Sequence, residues 1–217
     1  MDYTESLSFS FRDEEWIKKV GIGGVIGVLV MYTGILIFLS VFAFGYYVAV
    51  LRQAASGKAD KLPEWNDWGK LFADGISALM IGVVHFVVIG GICAISIVYV
   101  ANSFFSDGEM AFAIVLISLA TLFSLIVFPN LGLVQYAVSG NLGDAFNFGK
   151  IFFFLKRELA NFLGAAIFSF ILNLTLFIMG LGIFSPFTNF WGMIVQAHLF
   201  GQCANEARVG EPALHSA

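Results

Sequence analysis

Apolar runs long enough to cross a bilayer recur five times along this chain of 217 residues. A helix needs about 20 apolar residues to traverse a hydrocarbon core of about 30 Å. Residues 21–51 are apolar apart from Tyr, Thr and Ser. Residues 77–104 follow, with His85, Ser96 and Asn102 as their main interruptions. Residues 110–138 contain Pro129 and Asn130, 159–183 contain Asn161 and Asn173, and 187–205 contain Gln196 and His198. A backbone in lipid must satisfy its own hydrogen bonds, and no alternating strand pattern is present, so these runs are helices. Composition agrees: 12% of the residues are charged, against about 25% in a soluble domain.

Shorter mixed segments lie between the runs. In 64–76, Trp65, Trp68, Leu71, Phe72 and Ile76 fall on one helical face, and Glu64, Asp67, Lys70 and Asp74 on the other. Indole rings prefer the headgroup level, so this segment reads as an interfacial amphipathic helix. Residues 141–157 and 9–20 read the same way. The expected interface anchors are Trp16, Trp65, Trp68, Phe72, Phe148 and Phe152. The fold expected is an all-α integral membrane protein, a polytopic bundle with interfacial amphipathic helices. Residues 206–217 form its tail.

The pattern repeats. Trp68-Gly69-Lys70-Leu71-Phe72 matches Phe148-Gly149-Lys150-Ile151-Phe152, each before a long apolar run. The unit is a surface segment followed by a membrane hairpin, a parallel internal repeat. The run 21–51 fits either of two forms. As a single helix its 31 residues would measure about 46 Å. As a hairpin breaking near Thr33-Gly34 it would obey the repeat, which favours that form. Orientation follows the basic residues. Arg52, Lys58, Lys61, Lys70, Lys150, Lys156, Arg157 and Arg208 cluster in the mixed segments and the tail. Those parts are therefore expected in the cytoplasm, with the spans in the cell membrane. The acidic residues Asp2, Glu5, Asp13, Glu14 and Glu15 ahead of the first run argue against a cleaved leader.

The series FRDEEWIKKVGIGG, GYYVAVLRQAASG, LPEWNDWGKLFADG, AFNFGKIF and QAHLFGQ resembles a bacterial and archaeal membrane family, domain of unknown function 4013. The resemblance extends over about residues 7–208, and LPEWNDWGKLFADG is its most specific part. It implies a membrane protein and brings no catalytic residue with it.

The residues themselves point away from catalysis. No Asp or Glu lies within the five runs, and metalloprotease, nucleophile-elbow and phosphate-loop motifs are absent. Cys93 and Cys203 sit at different depths and read as packed free thiols. No metal or cofactor is expected. Two histidines could ligate a haem, but the runs hold no arginine for its propionates. Small residues at Gly23 and Gly27, Gly90 and Ala94, and Ala160 and Gly164 have the spacing of close helix contacts. The candidate site is a buried polar cluster of His85, Gln135, Gln196 and His198, read first as interhelical hydrogen bonding. With a net charge of −4 and no basic stripe, nucleic acid is excluded as a partner. The expected partners are the lipid bilayer and other membrane subunits or further copies of the chain. The function expected is that of a scaffold, assembly factor or accessory subunit without enzymatic activity. The alternative is a small transporter or permease.

Overall fold

The computed structural model describes residues 1–34, 37–103, 106–180 and 184–209. They form seven α-helices: α1 (Tyr3–Ser8), α2 (Trp16–Thr33), α3 (Ser40–Ala55), α4 (Trp68–Ala101), α5 (Asp107–Ser139), α6 (Phe148–Met179) and α7 (Ser185–Val209). No strand occurs among the described residues. The helices α2, α4, α5 and α6 are long and apolar enough to cross a membrane, so this is a multi-pass membrane protein. The expected span at 187–205 lies inside α7, which is not in that set. At 25 residues it is about 37 Å long, but its polar side chains lower its hydropathy. It can carry them because it is shielded by α2, α3 and α6. Of the expected tail, 206–209 continue α7, and 210–217 lie outside the described residues.

The run 21–51 is two helices. The first stops at Gly34, whose φ of 60° belongs to the region that favours glycine. The Gly34 N–H closes the helix on the Val30 carbonyl.

The surface segments take a different form from that expected. No separate helix occupies 64–76. Asp67 caps α4 by accepting from the Lys70 N–H at 3.0 Å, and the helix then runs unbroken to Ala101. Nothing in the sequence near residue 76 stops a helix, because Gly75 alone costs only about 1 kcal/mol. Residues 9–20 are likewise a 3-10 turn, Phe9–Arg12, followed by the opening turns of α2. Residues 141–157 hold a 3-10 turn, Leu142–Phe146, and the start of α6. Here a distinct surface segment survives, since Glu158 breaks helical geometry with φ −118° and ψ 21°. The sequence echo between α4 and α6 extends to structure. Asn147 caps α6 through the Lys150 N–H, as Asp67 caps α4. Leu71 and Ile151 are buried, while Trp68, Phe72, Phe148 and Phe152 are exposed.

Helices α3 and α7 lie at the centre. Backbones of α3 and α4 touch at two glycines. A Cβ on Gly45 would stand 1.9 Å from the Leu71 carbonyl oxygen, and one on Gly75 1.9 Å from that of Val41. Among the expected small-residue contacts, Gly23 and Gly27 face Phe190 and Pro186 of α7, and Gly164 receives the Tyr3 hydroxyl. Gly90 does not fit its expectation: nothing lies within 4 Å of the place its Cβ would take. It sits on an arm formed by the second half of α4 and the first half of α5. No residue from 86 to 99 or from 107 to 126 is buried.

Candidate functional site

Charged side chains are costly near lipid unless they are paired. Two ion pairs, one buried and one partly exposed at its arginine, meet that condition where helices start or end. Lys19 of α2 donates from Nζ to Asp13 Oδ2 at 2.8 Å and to the Leu62 carbonyl at 3.1 Å, and it also pairs with Glu64. Burial pushes the Asp13 carboxyl up. The Lys19 ammonium and the backbone N–H groups of Glu15 and Leu62 outweigh this and hold it below the usual carboxylate range. The second pair is bidentate: Arg52 Nη1 and Nη2 donate to Asp74 Oδ2 and Oδ1 at 2.7 and 3.0 Å. The Tyr136 hydroxyl donates to the same carboxylate at 2.8 Å. These groups tie α2 to the 62–65 connection, and α3 to α4 and α5. Each charge in them has a partner, and the pairs join the helices to one another.

Trp65 belongs to the first lock and is not an interface anchor. Its Nε1 donates to the Lys19 carbonyl at 3.0 Å, and its ring stacks on Tyr46 at 4.3 Å. A buried carbonyl and a flat partner together satisfy both the polar and the apolar part of an indole. Trp16 is half-buried, edge-on to Phe11.

The four expected polar residues do not form one cluster. His85 Nδ1 lies 2.8 Å from the Ile81 carbonyl of its own helix, and its ring stacks on Phe146. His198 Nδ1 lies 2.8 Å from Ser6 Oγ, and its ring stacks on Phe9 at 4.0 Å. Gln196 donates to Asn130 Oδ1. Gln135 lines a separate pocket between α5, α6 and α7. The reason is helical geometry: residues two apart, such as Gln196 and His198, do not share a face.

A different polar group does converge. A cavity of about 220 Å³ lies between α5, α6 and α7, lined by Asn130, Ser169, Asn173 and Gln196, with Ile126, Ala166, Phe170 and Phe200. Asn130 Oδ1 accepts from the Tyr47 hydroxyl and from Gln196 Nε2, both at 3.3 Å. Those bonds are long, but Asn130 Nδ2 donates to the Ile126 carbonyl of its own helix at 2.6 Å and anchors the amide. Asn173 Nδ2 donates to the Ser169 carbonyl at 2.8 Å. The Ser169 hydroxyl is buried without a partner. An orphaned polar group costs about 1–3 kcal/mol, and this one borders a cavity able to hold what would satisfy it. No lining residue is ionisable. Asn130 and Asn173 stand out in the sequence only as interruptions of apolar runs. Nothing there pairs them with Ser169, because helix rotation decides which side chains meet.

This cavity has neighbours. Asn173 also lines a space of about 300 Å³ beside α2, α3 and α7, together with Ser185 and Asn189. On the other side, Phe162 packs between Phe154 at 6.0 Å and Phe200 at 4.9 Å. This row of rings separates the polar cavity from the pocket holding Gln135, Lys150 and Arg157.

A family model described as a protein of unknown function (DUF4013) matches residues 15–185. The chain belongs to this family. The match takes in Asn130, Ser169 and Asn173, while Gln196 lies beyond it. No curated protein and no solved structure matches the chain. Membership of DUF4013 therefore brings no assigned role, and a functional reading must rest on the structure.

Proposed function

We propose that this DUF4013 protein is a non-enzymatic permease-like facilitator for a small uncharged polar solute. The observation that carries the reading is the unpartnered Ser169 hydroxyl beside three amide side chains at a half-open cleft between α5, α6 and α7. Hydroxyl and amide groups both donate and accept, which suits an alcohol, an amide or a urea-like molecule and does not suit an ion. At about 30 Å³ for each water, the cavity takes a molecule of a few heavy atoms. The aromatic row gives such a solute a barrier, and the largely apolar space along Asn173, with Ser185 and Asn189 in its wall, gives it a continuation. The excess of lysine and arginine on the 52–70 and 150–157 segments supports placing them on the cytoplasmic side of the cell membrane.

The test is stopped-flow shrinkage of proteoliposomes under gradients of glycerol, urea and acetamide. Wild-type protein should raise the permeability to at least one of them, and Ser169→Leu should abolish the rise. Permeability equal to that of protein-free vesicles across the whole panel would defeat the reading.

The second reading is a scaffold or accessory subunit, favoured by the α4–α5 arm, which is nearly bare of contacts within the chain. Lipid alone can cover an apolar helix, so the arm requires no partner. Ser96, Ser118 and Thr121 on the arm also satisfy themselves on their own helix carbonyls. Stoichiometric co-purification of another subunit, lost on polar substitution of Ile95 and Leu119, would favour the scaffold.

A further inference from the structure

We propose that the pocket between the ends of α5 and α7 and the first turns of α6 binds the phosphate of an anionic phospholipid. The pocket measures about 390 Å³ and is distinct from the solute cavity, so the proposal stands apart from the permease reading.

Lys150, Phe154 and Arg157 follow one another at i, i+4 and i+7 and so share a face of α6. All three line the pocket, with Gln135 of α5 and Ala204 of α7 opposite. The lining itself carries two cations and no carboxylate. Lys150 pairs with Asp144 at 2.7 Å. Glu158 and Glu206 both accept from Asn161, at 2.9 and 3.0 Å, Glu206 also pairs with the N-terminal ammonium, and neither forms an ion pair with Arg157. Arg157 has no hydrogen bond or ion pair among the described residues, and neither does Gln135. The site thus offers a guanidinium without an ion-pair partner, a lysine paired with Asp144 and a neutral amide over an apolar floor.

The surroundings choose a lipid. Phe148, Phe152 and Phe153 are all more than half exposed on the same short segment, which marks it as a membrane-facing surface. The break at Glu158 lets this segment lie apart from the span that follows. Basic pockets between helices at the interface hold anionic headgroups. A guanidinium matches two phosphate oxygens at once, while acyl chains can follow the exposed rings.

The test uses the full chain in nanodiscs of phosphatidylcholine mixed with phosphatidylglycerol, with retained lipids counted by native mass spectrometry. Wild-type protein should keep phosphatidylglycerol in preference to phosphatidylcholine. Arg157→Gln and Lys150→Gln should each lower that preference about tenfold, the scale of one charged hydrogen bond. Arg157→Lys should keep part of it, and Arg12→Gln, at an exposed residue elsewhere, should change nothing. Thermal melts of each variant confirm folding. Equal retention by wild-type protein and Arg157→Gln would overturn the proposal. So would stabilisation by inorganic phosphate in pure phosphatidylcholine discs that matches the effect of phosphatidylglycerol, because the pocket would then serve a soluble phosphate.

Discussion

The centre of the molecule and its α4–α5 arm are both apolar and both helical, yet they are specified in opposite ways. Around α3 and α7, position is fixed by particular atoms: a bidentate Arg52–Asp74 pair, a buried Lys19–Asp13 pair, and glycines that let backbones touch. Along 86–99 and 107–126 no residue is buried, and nothing beyond hydrophobicity is asked of the side chains. In lipid, apolar surface gives no preference between a helix neighbour and an acyl chain. Polar pairing and close approach therefore do the work of holding the centre, and the arm is left to the bilayer.

That contrast makes mutations unequal. Asp74→Ala should leave Arg52 without its ion pair, holding only the Ala137 carbonyl through Nε, and cost about 3–5 kcal/mol. Trp65→Ala should fall in a similar range of about 3–5 kcal/mol for a buried indole. Ile95→Ala and Leu119→Ala on the arm should cost under about 1 kcal/mol, because lipid replaces the lost contacts. Unfolding in mixed detergent measures all four, and an arm substitution as costly as Asp74→Ala would break the contrast.

A smaller effect is expected at His198, where the N-terminal segment meets α7. His198→Leu should cost about 0.6–2 kcal/mol, and His198→Gln less, since glutamine keeps a donor and an acceptor for Ser6. Melting temperatures of the two variants decide it, and the reverse order would remove the hydrogen bond from the account.

The smallest effect under ordinary conditions is that of pH. Because the folded Asp13 carboxyl is held below its usual range, its contribution to stability is complete above the unfolded value of about 3.9. It is lost only as pH falls through the lower, folded value. Melting temperature should therefore show no Asp13-dependent change from pH 8 to pH 5. A drop specific to the wild type, absent in Asp13→Asn, should appear below about pH 4. A loss near pH 6 would point to another group.

Much of this was legible from residue order. The long runs announce membrane helices, and the Trp68–Phe72 and Phe148–Phe152 echo announces two similar segments, ahead of which Asp67 and Asn147 do not stand out as the caps they prove to be. The break at Gly34 is marked by the residue itself. The ends of the surface segments were not legible, since hydrophobic pattern cannot separate a flat helix from the opening turns of a long one. Trp65 shows the same limit: its pattern fits an interface anchor, and only the Lys19 carbonyl and the Tyr46 ring make it a core residue. The candidate site was the least legible part. His85, Gln135, Gln196 and His198 are conspicuous polar residues in apolar runs, but helix rotation scatters them. Ser169, an ordinary serine in sequence, becomes notable only when its hydroxyl is found without a partner beside three amides.

The central proposal is that water and solute enter the cleft at Ser169, whose hydroxyl is buried in this structure, while the arm faces lipid. The chain carries its own control, since Cys93 lies on the arm and Cys203 in the packed centre, both as free thiols. Thiolates react and thiols in apolar surroundings do not. A Ser169→Cys variant in native membranes should be modified by a small methanethiosulfonate reagent, and slowed by the solute that permeates, while Cys93 and Cys203 stay unmodified. A Ser169→Cys thiol as inert as Cys93 would contradict the account.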